Sequence, residues 1–198
     1  MSSITISGDT SGSVILQAPA VAGSTTLTLP TTTGTLVTSN AMPAGSVLQV
    51  VQTVINGQVS ISGAAWNAVS GYSVSITPKS ASNKILVIAN TCYGTDAAGN
   101  YDVAFSIYRN ASAITGAQGT ASGSRLQATY SGDNRQQYGM SYAGATYLDS
   151  PASTSAQTYA IYAWVNGGTC YINREITNNN DAGSPLTISS ITVMEVAG

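Results

Sequence analysis

The sequence contains no histidine. That absence removes Ser-His-Asp and Cys-His catalysis, His-ligated zinc and histidine pH switching together. Charge is nearly as scarce. Six Lys+Arg and eight Asp+Glu make only 7% of the 198 residues charged, against about 25% in ordinary soluble domains. Residues 1–78 carry one charged side chain, Asp9. Phosphate-backbone binding needs clustered Lys and Arg to release counterions, so no nucleic-acid partner is expected. No apolar run reaches the roughly 18 residues of a membrane-spanning helix, and no membrane insertion is expected. Met1-Ser2-Ser3-Ile4-Thr5 lacks the basic and apolar regions of a signal peptide, which predicts a protein made in a cytoplasm. Cys92 and Cys170 fit no metal spacing. They read as small buried hydrophobes, with a disulfide as the alternative.

Hydroxyls take the place of ions. The chain has 27 Ser and 24 Thr beside 20 Gly, and its hydrophobic fraction of 43% still suffices for a core. The first forty residues alternate in short segments, Ser3–Ser7, Ser13–Gln17, Thr25–Leu29 and Gly34–Thr38, separated by Gly- and Pro-containing turns. That spacing predicts hairpins. Their few large apolar side chains cannot offset a backbone entropy of ~1–2 kcal/mol per residue. Residues 1–42 are therefore expected to wrap with copies of themselves or to dock on a partner, and Asn40–Gly45 reads as a linker. Residues 43–198 read as one all-β domain. Strands are predicted at Val47–Ile55, Tyr72–Thr77, Lys84–Cys92, Tyr101–Tyr108, Arg125–Tyr130, Gln137–Leu148, Thr158–Val165, Cys170–Ile176 and Leu186–Val196. Val, Ile, Thr and Tyr suit a pleated, half-buried surface, and helix signal is absent. The expected fold is all-β, a short N-terminal β-hairpin segment followed by a jelly-roll-like β-sandwich.

Two strands have apolar side chains on both faces. Lys84–Ala89 reads as a central strand covered twice. In Thr158–Val165 one face carries Tyr159, Ile161, Ala163 and Val165, the other Tyr162 and Trp164. One sandwich covers only one face, so Tyr162 and Trp164 are candidates for a subunit interface; the plain alternative is a solvated face capped by two rings.

The stretch Ser13–Ala20, followed by GSTTLTLPTTTGTLVT at Gly23–Thr38, resembles a repeat common in tail-fibre and other appendage proteins of tailed bacteriophages, those of marine and cyanobacterial hosts especially. SVSITPKSASNKILVIAN (Ser73–Asn90), VAFSIYRNASAI (Val103–Ile114) and the closing strand Ile188–Val196 resemble trimeric jelly-roll tips of such proteins, which are similar to the tumour-necrosis-factor-like sandwich. The resemblance implies a virion protein assembled as a homotrimer, with residues 1–42 held by other virion proteins. It places the last strand near a threefold axis and makes Ile191, Val193 and Glu195 interface candidates with Tyr162 and Trp164. Arg109, Arg174 and Glu195 are candidates for buried ionic groups that fix subunit register. A tail-fibre tip adhering to host glycans is the leading expectation. A capsid decoration protein is the nearest alternative, and a polysaccharide depolymerase is a further one.

Sugar binding needs aromatic platforms beside planar polar groups. Tyr130, Asp133, Asn134, Arg135 and Tyr138 form the densest such window, and are the candidate ligand-binding residues; a solvated hairpin turned by Gly132-Asp133-Asn134 is the plain alternative. Asn178–Asp181 is a second, weaker window. Asp96, Asn100 and Asp102 do not follow the calcium-loop spacing, and no metal or cofactor is expected. Carboxylate-pair hydrolysis has no supporting motif among eight acids, so the chain is expected not to be an enzyme.

Overall fold

The structure is a computed structural model that describes residues 3–24, 26, 28, 31–34, 37, 42–95, 102–133 and 138–198. It divides into two compact units, residues 1–37 and 38–198.

In the first unit β1 (Ser3–Ser7) and β2 (Ser13–Gln17) form an antiparallel hairpin whose turn is closed by the Gly8 N–H donating to the Gly12 carbonyl. Ile4 pairs with Leu16 and Ile6 with Val14, so these four share one face. All four are exposed, at 47–65% of their surface. The hairpin has no core of its own, as its shortage of apolar residues predicts. The further strands expected at 25–29 and 34–38 lie largely outside the described residues.

The second unit is a β-sandwich of two antiparallel sheets. Its strands are β3 (Val47–Ile55), β4 (Val59–Ser62), β5 (Asn67–Ile76), β6 (Lys84–Thr95), β7 (Val103–Arg109), β8 (Ser112–Ala113), β9 (Tyr130–Gly132), β10 (Ser141–Asp149), β11 (Gln157–Val165), β12 (Thr169–Ile172) and β13 (Ser189–Val196). One sheet runs β3-β13-β6-β12-β4, with β10 on the far side of β6; the other runs β5-β11-β7-β8, with β9 also on β7. The segment predicted as a strand at Arg125–Tyr130 is instead irregular up to Thr129. Its backbone groups are used locally: Gly119 N–H donates to the Ala128 carbonyl and the Gln127 amide to the Gly119 carbonyl.

Period-two alternation sets the core. Ile85, Val87 and Ala89 of β6, Phe105 and Ile107 of β7, Tyr159, Ile161, Ala163 and Val165 of β11, and Ile191 and Val193 of β13 are all fully buried between the sheets. Polar atoms inside are satisfied. The Tyr72 hydroxyl donates to the Asn90 carbonyl at 2.7 Å, and burial pushes its phenol up to about 12. The Arg109 guanidinium pairs with Asp149 at 2.5 Å, and Tyr159 donates to the same carboxylate oxygen at 2.7 Å. Among the described residues no buried side-chain nitrogen or oxygen lacks a hydrogen-bond partner. Cys170 is buried and Cys92 half-buried, and both are free thiols. Burial alone pushes the Cys170 thiol up to about 12.

The register corrects the interface expected at the last strand. Ile191, Val193 and Glu195 point between the sheets, so none is available to a neighbouring subunit. The outward set is the alternate one. Met194 pairs with Val50 on one side and Leu86 on the other, and Leu86 pairs with Leu148, giving an apolar row across four strands. The ionic candidates are likewise satisfied within one chain. Arg109 holds Asp149, and Arg174 lies 3.8 Å over the Tyr171 ring and donates to the Glu175 and Ile176 carbonyls. Glu195 accepts three hydrogen bonds of 2.6 Å, from the Gln49 amide, the Lys79 N–H and the Asn83 amide.

Candidate functional site

Of the expected ligand window, Tyr130, Asp133 and Tyr138 lie among the described residues. Tyr130 opens β9, and its ring stacks on Phe105 with centroids 5.1 Å apart. Its hydroxyl lies 3.0 Å from that of Thr91, and desolvation by burial holds the phenol well above its ordinary value. Pairing of β9 with β7 thus spends the ring on the core margin. Tyr138 is 69% exposed, Asp133 is exposed, and Asn134 and Arg135 lie outside the described residues. Of the calcium candidates, Asp96 and Asn100 lie outside them too, while Asp102 is exposed. Among the described residues no group of three or more His, Cys, Asp or Glu could hold a metal ion. The Asn178–Asp181 window lines a shallow cavity of ≈ 240 Å³ with Gln58, Ser184 and Leu186.

The outer face of the β5-β11-β7 sheet offers a different arrangement. Tyr162 and Trp164 occupy alternate outward positions of β11 and are half-buried. Ala160 pairs with Tyr108, which sets the Tyr108 ring diagonally beside that of Tyr162. The two stack at 3.8 Å with 14° between planes. Trp66 precedes β5, whose register against β11 slips between Ala160 and Tyr162 so that Asn67 pairs with Ala163. Its ring reaches Tyr108 at 6.2 Å between centroids. Burial, with Tyr162 alongside, raises the Tyr108 phenol. Such contacts contribute about 0.5–1.5 kcal/mol each beyond area burial, enough to hold the row in one arrangement.

A wall rises beside this row. After β8 a single 3-10 turn (Thr115–Ala117) leads into the irregular stretch that ends at β9. Gln118 is tethered through its amide to the Ser106 hydroxyl at 2.8 Å, and Gln127 to the Gly119 carbonyl at 2.9 Å. Row and wall enclose two depressions of ≈ 610 and ≈ 520 Å³. Trp66, Tyr108, Gln118 and Gln127 line the first, Asp102, Asn166 and the sequence candidate Tyr130 the second, and Arg125, Leu126 and Trp164 line both.

No family model and no curated protein matches the chain. The site therefore stands on its own geometry. The sequence marked Tyr162 and Trp164 as an outward pair and offered them as subunit-interface residues, and their outward positions hold. It passed over Trp66, which follows a Ser-Gly-Ala-Ala turn outside any alternating pattern. Tyr108 was legible in principle, because it continues the Ala104 and Ser106 face of β7, opposite the large apolar Val103, Phe105 and Ile107, although Ala104 and Ser106 are themselves buried.

Proposed function

We propose that the chain is a non-enzymatic virion protein of a tailed bacteriophage, a homotrimeric appendage tip that adheres to the host surface. The observation that carries this reading is the row of four half-exposed aromatic rings along the outer face of one sheet. Aromatic side chains supply large contact area at little entropic cost and are enriched in recognition surfaces.

The attachment role of residues 1–42 is supported by the exposed apolar hairpin face, since a bare two-stranded hairpin is marginally stable without a partner. Trimer assembly is supported by the Val50–Met194–Leu86–Leu148 row. Its apolar side chains face outward across four strands, and the resemblance to trimeric tips sets the expected number of copies at three. A catalytic role finds no support in the acids. Glu175 and Glu195 are both held below the ordinary carboxylate value: Glu175 by the Ser184 and Thr177 hydroxyls, Glu195 by its three donors against the opposing effect of burial. A general acid needs the opposite shift.

The test is a pull-down of the purified full chain on a panel of bacterial envelopes at low and high ionic strength, with the supernatant assayed for released sugar. Adhesion predicts retention on at least one envelope that weakens little with salt, because few charges are screened. Retention on none of the panel contradicts adhesion, and released oligosaccharide contradicts the non-enzymatic reading.

A further inference from the structure

We infer that the two joined depressions beside the aromatic row form a binding cleft for an uncharged oligosaccharide of at least two sugar units, straddling Trp164. The inference rests on the adhesion reading and names the class of receptor for it.

The chemistry of the lining selects the ligand. A pyranose ring has a face of C–H groups with slight positive charge, and aromatic faces are negative. Trp66, Tyr108 and Trp164 bring aromatic rings to the first depression. The ring edges of a sugar carry hydroxyls that both donate and accept. The wall meets them with planar groups already fixed in place: the Gln118 and Gln127 side chains are each anchored by one hydrogen bond before any ligand arrives. Preorganised groups of this kind cost little to order on binding. The depressions, at ≈ 610 and ≈ 520 Å³, lie within the ~300–1,000 Å³ typical of small-ligand sites.

The charges at the rim narrow the class further. Among the described residues one cation, Arg125, and one acid, Asp102, line the cleft. That described rim of balanced sign complements a neutral ligand, and a polyanion would be repelled by Asp102. Strand addition, one mode of peptide binding, needs a sheet edge, whereas this cleft lies over a sheet face. Chain length follows from the shared lining. Trp164 belongs to both depressions, so a single sugar contacts one side and only a chain of two or more spans both.

The sequence contains two tryptophans, and both line this cleft. Intrinsic fluorescence therefore reports on it directly. The experiment titrates the full chain with size-fractionated oligosaccharides, one to eight units long, prepared from neutral bacterial O-polysaccharides, with heparin oligosaccharides as the anionic comparison. The expected result is a saturable shift of tryptophan emission with neutral chains of two or more units and a weaker response to monosaccharides. Binding measured calorimetrically should fall roughly 30-fold or more in Trp164→Ala, as for an interface hot spot. Trp66→Ala should lose affinity to a lesser degree, and Tyr142→Ala, exposed on β10 of the other sheet, should match wild type. No response to any neutral fraction, a response to heparin alone, or undiminished binding in Trp164→Ala would overturn the inference. Envelope pull-downs on the same preparations separate the two levels. Envelopes retained while neutral sugars leave fluorescence and calorimetry silent overturn the cleft assignment and leave adhesion standing, whereas loss of envelope retention counts against adhesion itself.

Discussion

Glu195→Gln is the substitution for which the structure gives the most detailed expectation. Glu195 is fully buried in β13. One carboxylate oxygen accepts the Lys79 N–H and the Asn83 amide, and the other accepts the Gln49 amide. Glutamine keeps the shape and one acceptor oxygen. Its amide nitrogen then faces the Gln49 nitrogen, donor against donor. Gln49 cannot simply turn its amide, because the same nitrogen also donates to the Thr77 carbonyl at 2.8 Å. One bond is lost, leaving an unsatisfied donor at about 1–3 kcal/mol, and the two survivors fall from charge-assisted to neutral strength, roughly half. A total of about 3 kcal/mol corresponds to ~6–12 °C in melting temperature for a domain of this size. The pH dependence has a definite sign. Burial opposes the charge of Glu195, but its donors outweigh burial and lower its pKa in the folded state. Its stabilisation is therefore present above the ordinary glutamate pKa of about 4.3, and is lost as pH falls through the lower folded value. Thermal melts of both proteins by circular dichroism from pH 8 to pH 3 check this. The gap should be widest near neutrality and close in acid, where the wild-type carboxyl takes up a proton. Equal melting temperatures at pH 7, or a gap unchanged down to pH 3, would refute the reasoning.

Gly132→Ala should destabilise the sandwich by about 1–3 kcal/mol, the usual cost of overpacking, because an added Cβ would sit 1.7 Å from the hydroxyl of the buried Tyr93; urea unfolding reads this, and an unchanged midpoint contradicts it. Residues 45–198 alone should melt cooperatively while residues 1–42 alone show no folded signal in circular dichroism, and a folded, monomeric N-terminal peptide would count against the burial argument. Sedimentation of the full chain should give a trimer, and Leu86→Glu, placed in the apolar row, should give a folded monomer. A monomeric wild type, or a trimer unaffected by Leu86→Glu, contradicts assembly through that face.

Much of the sandwich was legible because strand alternation is local. Thr158–Val165 displays its inner and outer sets in the sequence, and the structure keeps both. The last strand shows the limit of that reading. Alternation gives two faces for Ile188–Val196, but which one turns inward depends on pairing with β3 and β6, and a shift of one residue exchanges them. The resemblance assigned Ile191, Val193 and Glu195 outward, and the register places them inside. The short β4 lacked enough residues to show a period. The irregular wall from Gln118 to Thr129 was misread in part as a strand, since apart from the Thr129 N–H, which donates to the Phe105 carbonyl, its hydrogen bonds are made within the loop and to side chains. The cleft escaped notice for the same reason. Trp66, Tyr108, Arg125 and Trp164 come from separate stretches and meet only through strand pairing and the fold of that loop, whereas of the contiguous window around Tyr130 the first residue both stacks on Phe105 and lines the second depression.

The central claim concerns where this protein works. Electron microscopy of the virus particles that carry it, labelled with antibody against residues 45–198, tests it most directly. Adhesion by an appendage tip predicts label at the distal end of the tail apparatus. Label spread over the capsid shell would contradict it and identify a decoration protein instead.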